Sequence, residues 1–176
     1  MASRSGEGEG GKMSYIPRVS EFTRERISRE FDDLGPAACV AEILGQLQAH
    51  NPEVLDMMSK CATDVGNPDR IMVGFAMFYR LLLAEELAVM GRTQGGMIPR
   101  VAPETRDMLV RDIDEKGPDG FTFEAIDQLH DDNPELLQMA HNFASRHESY
   151  LGIMQGFCLV YQSIAIQSAA ERRNVH

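Results

Sequence analysis

The sequence predicts an all-α protein of eight helices, arranged as two four-helix units that are related by pseudo-twofold symmetry. Apolar residues recur at helical spacing in segment after segment, and Gly-Pro and Asn-Pro pairs separate these segments. Two similar segments also occur in the sequence: "NPEVLDMMSKCA" begins at Asn51 and "NPELLQMAHNFA" begins at Asn133. At 176 residues with 43% apolar content, the chain is long enough for one domain with a proper core.

The repeat extends far beyond this motif. A shift of 82 positions (133 − 51) aligns residues 16–19 with residues 98–101, both "IPRV", and places Tyr79 on Tyr161 without a gap. We therefore expect a tandem duplication, with a flexible N-terminal tail at residues 1–14, unit 1 at residues 15–96 and unit 2 at residues 97–176. Units of this size are marginal alone, so the two should pack into one compact domain and bury each other's apolar faces.

The first two helices of each unit are placed by glycine, proline and apolar spacing. The first helix should begin after Ser20 in unit 1 and after Ala102 in unit 2, and it should end at Gly35-Pro36 and at Gly117-Pro118. The second helix is expected at about residues 37–49 and at about residues 122–131.

The repeated motif itself predicts the start of the third helix. Asn51 and Asn133 are expected to cap this helix through their side-chain oxygens, followed by a proline at the first helical position. The fourth helices, residues 71–90 and 150–170, are apolar on nearly every face and should lie at the centre. Gly74 and Gly156 predict a close contact between helices there. The linker between the units is "GRTQGGMIPRVAP".

Composition limits the classes of partner. With 27 acidic and 17 basic residues, the formal net charge is −10, which disfavours nucleic acid and anionic membranes. The longest uncharged run contains Gln155, Gln162 and Gln167, so a buried helix is expected rather than a membrane span. Three cysteines without CxxC spacing and an N-terminus without a signal-like apolar stretch indicate a cytoplasmic chain with reduced thiols.

The function expected from the sequence is a non-enzymatic protein–protein interaction module, such as a regulator, adaptor or assembly factor. Eleven methionines make an adaptable apolar interior, and an apolar groove between the repeats would accommodate a protein partner. A homodimer is compatible with this reading, and no catalytic residue, metal or cofactor is predicted. The residues expected to line the groove are Met72, Phe75, Phe78, Met154 and Phe157.

Two alternatives remain open. One is a small-ligand or metal-binding helical protein, with enzymatic activity as an option, whose site lies in the second repeat. Its candidate residues are His141, His147, Glu148, Cys158 and Tyr161. The two histidines are six apart and do not share a helical face, and unit 1 has Ser59 and Val65 at their places. The other is a transcription regulator, suggested by helix pairs with short turns and disfavoured by the charge.

Overall fold

The all-helical fold class is confirmed. The computed structural model describes residues 16–90 and 98–175, and within these ranges it contains eight α-helices and no strand. The predicted tail, residues 1–14, and residues 91–97 of the predicted linker lie outside the described residues. In chain order the helices are α1 (Glu21–Leu34), α2 (Pro36–His50), α3 (Pro52–Val65), α4 (Pro68–Met90), α5 (Pro103–Lys116), α6 (Pro118–Asp132), α7 (Pro134–Ala144) and α8 (Tyr150–Val175).

Two glycines make the sharpest turns. Gly35 has φ 90° between α1 and α2, and Gly117 has φ 84° between α5 and α6, a region that other residues occupy only with strain. A proline follows each glycine at the first helical position, as predicted. Helix α6 begins at Pro118 rather than near residue 122, because Pro118 needs no N–H partner there and the first turn tolerates Gly120.

Helices α4 and α8 are central, as predicted. Helix α8 packs most extensively against α3 and α6, and α4 packs against α1, α2 and α3. The two central helices meet through aromatic rings: the Phe75 and Phe157 centroids lie 4.9 Å apart in an edge-to-face arrangement, and Phe78 lies equally close to Phe157. These rings form the middle of the main core.

Gly74 and Gly156, which lie 82 residues apart on the central helices, leave room for side chains of neighbouring helices. A methyl group on Gly74 would overlap the ring of Phe143 from α7. A methyl group on Gly156 would lie 2.5 Å from Phe75 and 2.6 Å from the Cys61 sulfur. Alanine at either position would therefore force a neighbour to move.

Residues of α5 and α6 form a second apolar cluster beside the main core, to which α6 also contributes Leu129. This cluster consists of Leu109, Phe121, Ala125 and Cys158, with partly buried neighbours around it. The residues at the same register in the first half all belong to the main core: Ile27, Cys39, Ile43 and Ala76. The outer helices of the second half are thus less continuous with the rest of the interior.

Helix α8 contains most of the long uncharged run, and it is largely buried against its neighbours. Among residues 16–90 and 98–175, no helix combines the length and the apolarity that a bilayer crossing requires.

Candidate functional site

The residues predicted to line a groove are interior residues. Phe75, Phe78, Met154 and Phe157 have no exposed surface, and Met72 is half-buried. The sequence predicts that these side chains line a groove where they are not fully buried. In this fold a partner could reach four of them only if α4 separated from α8, because the aromatic rings of each helix are buried against the other.

The alternative ligand set is not brought together. His141 is exposed and its Nδ1 lies 2.8 Å from the Tyr150 hydroxyl, while the His147 ring lies 4.8 Å from the Phe143 ring. Glu148 is exposed beside them, whereas Cys158 and Tyr161 are buried further along α8. Nowhere in the described residues do three or more His, Cys, Asp or Glu side chains form a group that could hold a metal ion.

The repeated asparagines bind the opposite half of the chain. The Asn133 side chain accepts a hydrogen bond from the Val19 N–H at 2.8 Å and donates one to the Pro17 carbonyl at 2.9 Å. Asn133 is fully buried, so these bonds satisfy backbone groups that water cannot reach. We call this contact an asparagine clasp.

The same clasp occurs 82 residues earlier (133 − 82 = 51). Asn51 accepts from the Val101 N–H at 2.9 Å and donates to the Pro99 carbonyl at 2.8 Å, and its amide also donates to the Tyr79 hydroxyl at 3.2 Å. The predicted helix-capping role is wrong, since neither asparagine side chain makes a capping hydrogen bond. Asn51 thus gives the buried Tyr79 hydroxyl a hydrogen-bond partner.

Near each asparagine clasp, an ion pair also joins the two halves. Arg24 lies 3.2 Å from Glu135, and Arg106 lies 2.6 Å from Glu53. Each pair joins an outer helix of one half to the third helix of the other. These side chains keep about a quarter to a third of their surface exposed, so each pair is worth at most about 1 kcal/mol.

One sizeable groove lies between the halves. It has a volume of about 690 Å³ and is bounded by α3 from the first half and by α5 and the start of α8 from the second. This volume is within the usual range for binding sites, roughly 300–1,000 Å³. Apolar side chains line much of it: Met57, Cys61, Val65, Val110, Ile113 and Leu159.

The groove is open where the two halves differ in side-chain size. At the shift of 82 residues, Cys61 aligns with Phe143 and Phe31 aligns with Ile113. Phe143, on α7 of the second half, covers Gly74 on α4 of the first half and packs against His147. At the equivalent site, the smaller Cys61 thiol and the Phe75 ring lie against Gly156, and Cys61 also lines the groove between α3 and α8.

Charged residues surround this apolar lining. Arg106 lies 3.6 Å from both Asp56 and Asp107, and Lys60 lies 3.7 Å from Asp56. Asp64 also lines the groove, is exposed and has no ion pair among the described residues. The rim therefore carries more negative than positive charge, and one of its carboxylates faces solvent without a cation.

The Cys61 thiol is held in its protonated form. Its Sγ donates to the Gly152 carbonyl at 3.4 Å, and burial raises its pKa from 9.0 to about 11. A thiol is a poor nucleophile, so this side chain suits a packing role. Sequence reasoning missed the groove because it looked for residues shared by both halves, and the signal was the unlike pair of Cys61 and Phe143.

Helices α3, α5 and α8 thus form a half-open trough with apolar walls and an acidic rim, and it contains no histidine. Its side chains are suited to binding an apolar surface.

In comparisons with known proteins, the chain matches no protein-family model, no curated protein and no solved structure.

Proposed function

We propose that the chain arose by internal duplication and that its two four-helix units are related by pseudo-twofold symmetry. The support comes from reciprocity: each unit's asparagine binds the other unit's "IPRV" segment, and each unit's arginine binds the other's glutamate. Phe75 and Phe157 occupy the same register and touch each other, as equivalent residues do beside a twofold axis.

We further propose that the protein is a non-enzymatic interaction module that captures a protein partner in the groove between α3, α5 and α8. The observation that carries this proposal is the apolar groove of about 690 Å³ at the junction of the halves. Val110 at its edge is 49% exposed, and an apolar side chain in that position gains free energy when a partner covers it. The inter-repeat location is the one expected from the sequence, with different residues.

Site-directed photocrosslinking in the source cell tests this function. A photoreactive amino acid replaces Val110 at the groove edge, and in a matched control it replaces Ser28, the exposed residue at the same register of the first half. We expect one protein to be crosslinked from position 110 and not from position 28. Crosslinking of that protein should disappear when Gly152 in the groove wall is also changed to Arg, the residue that the first half has at position 70.

The control for folding is the helical content and thermal midpoint of each variant. Gly45→Arg, at an exposed helical glycine with open space around it, provides a substitution of the same kind outside the groove. Equal crosslinking from positions 110 and 28, or crosslinking from position 110 that Gly152→Arg leaves unchanged, would contradict the proposed function.

A further inference from the structure

We infer that the occupant of the groove is a basic amphipathic helix, an inference that rests on the proposed function and names the chemistry of its partner. The walls of the groove are helix faces. On α3, the lining residues run from Asp56 to Val65. At 1.5 Å per residue this face is about 14 Å long, which matches two to three turns of a helix laid alongside it.

The apolar lining suits a helix that presents its anchors on one stripe. Met57 and Cys61 are four residues apart on α3, and Val110 and Ile113 are three apart on α5. A partner helix meets two such walls with residues at i, i+3 or i+4, and i+7. Met57 can adapt its shape to different anchors, because its side chain is unbranched and flexible.

The site around Gly74 indicates what kind of side chain packs at this register. There the ring of Phe143 lies over Gly74 and completes the packing between helices. At the equivalent place Cys61 and Phe75 lie against Gly156, and the smaller Cys61 lines the groove beside Gly152. A large apolar anchor from the partner, seated in the groove against Cys61, would supply the apolar contact that this small side chain does not.

Charge selects the polar face of the partner. Asp64 is an exposed carboxylate without an ion pair among the described residues, and Asp56 on the same helix shares Arg106 with Asp107 of α5. The whole chain carries a formal charge of −10. Lysine or arginine flanking the apolar stripe would meet this rim favourably, whereas acidic residues there would be repelled.

Fluorescence anisotropy with designed peptides tests the inference. The probe is a labelled leucine/lysine peptide of about sixteen residues, long enough to form a helix, with leucines on one stripe. One comparison peptide has glutamate in place of lysine, and another has the leucine/lysine composition in a scrambled order. We expect the amphipathic lysine peptide to bind the full chain about tenfold or more tightly than either comparison peptide.

Val110→Arg and Ser28→Arg separate groove binding from general attraction to an acidic protein. Both variants add one positive charge at exposed positions of equal register, so nonspecific attraction would weaken equally in both. We expect Val110→Arg to weaken binding of the lysine peptide about tenfold or more and Ser28→Arg to leave it within about twofold. Asp64→Asn should weaken it several-fold and reduce its dependence on salt.

The outcomes are distinguishable from failure of the proposed function. If both amphipathic peptides bind equally and both are lost in Val110→Arg, the groove is an interaction site but the basic partner is wrong. If the lysine peptide does not bind, or if Val110→Arg and Ser28→Arg affect it equally, the inference is overturned, while crosslinking from position 110 still decides whether the groove captures a protein.

Discussion

The two halves agree where they touch each other and differ where they meet solvent. At the junction, both halves use an asparagine clasp and an arginine–glutamate pair at the same register. On the flanks, the large Phe143 ring covers Gly74, whereas the smaller Cys61 lines a groove. The contacts that hold the halves together are therefore alike in both halves. Positions on the flanks make no such reciprocal contact, so their side chains can differ, as those of Cys61 and Phe143 do.

The largest expected effect is loss of an asparagine clasp. In Asn133→Ala, the buried Val19 N–H and Pro17 carbonyl lose their partner, and each unsatisfied backbone group costs about 1–3 kcal/mol. We expect the free energy of unfolding to fall by about 2–4 kcal/mol in urea denaturation. Asn51→Ala should cost at least as much, because Asn51 also bonds Tyr79. A loss below about 1 kcal/mol in both variants would contradict the role of the clasps.

A smaller effect should distinguish the site around Gly156 from the site around Gly74. Gly156→Ala places a methyl group against Phe75, which is fully buried, whereas Gly74→Ala places one against Phe143, which is half-buried and can turn outward. Overpacking lowers the free energy of unfolding by about 1–3 kcal/mol, and the higher helix propensity of alanine offsets about 1 kcal/mol of this loss. We expect Gly156→Ala to lower the free energy of unfolding by about 1–2 kcal/mol more than Gly74→Ala. Equal losses would show that both sites are packed alike.

The smallest effect concerns the thiols, which make stability depend on alkaline pH. Burial raises the pKa of Cys158 to about 12 and that of Cys61 to about 11, from 9.0. Above pH 9 the unfolded chain releases these protons and the folded chain retains them. The contribution of the thiols to the free energy of unfolding is therefore constant below that pH and falls above it. The fall is about 1 kcal/mol per pH unit for each thiol.

Cys158→Ala checks this assignment, because alanine is the residue at the same register of the first half, Ala76. Urea denaturation at about pH 8 and at about pH 10 should show a shallower loss of stability in the variant than in the unchanged chain. Tyrosines titrate in both proteins and cancel in the comparison. An identical pH dependence would show that Cys158 ionises normally in the folded state.

Local signals predicted most of the helices. Gly35-Pro36, Gly117-Pro118 and the two Asn-Pro pairs mark helix ends through backbone rules that act within a few residues. The predicted start of helix α6, near residue 122, is later than its observed start at Pro118, because its first turn contains Gly120 and only weak apolar spacing.

The candidate site could not be predicted in the same way. An asparagine before Pro-Glu suits a helix cap locally, and only the folded chain brings Val19 to Asn133. The phenylalanines expected in a groove are buried because α4 and α8 face each other, a fact of tertiary packing. The groove is lined by Cys61 and Ile113, which are smaller than Phe143 and Phe31 at the same register, and no periodic pattern reports such differences in size.

The reciprocal clasps have a consequence for ancestry. Residues 16–19 and residues 98–101 are the same four amino acids, so Asn51 of one molecule could bind the "IPRV" segment of another molecule just as it binds its own. On the proposed duplication, the progenitor was a chain of half this length that paired with itself through an isologous interface. Fusion of the two genes then made the partner permanent and allowed one face to diverge alone.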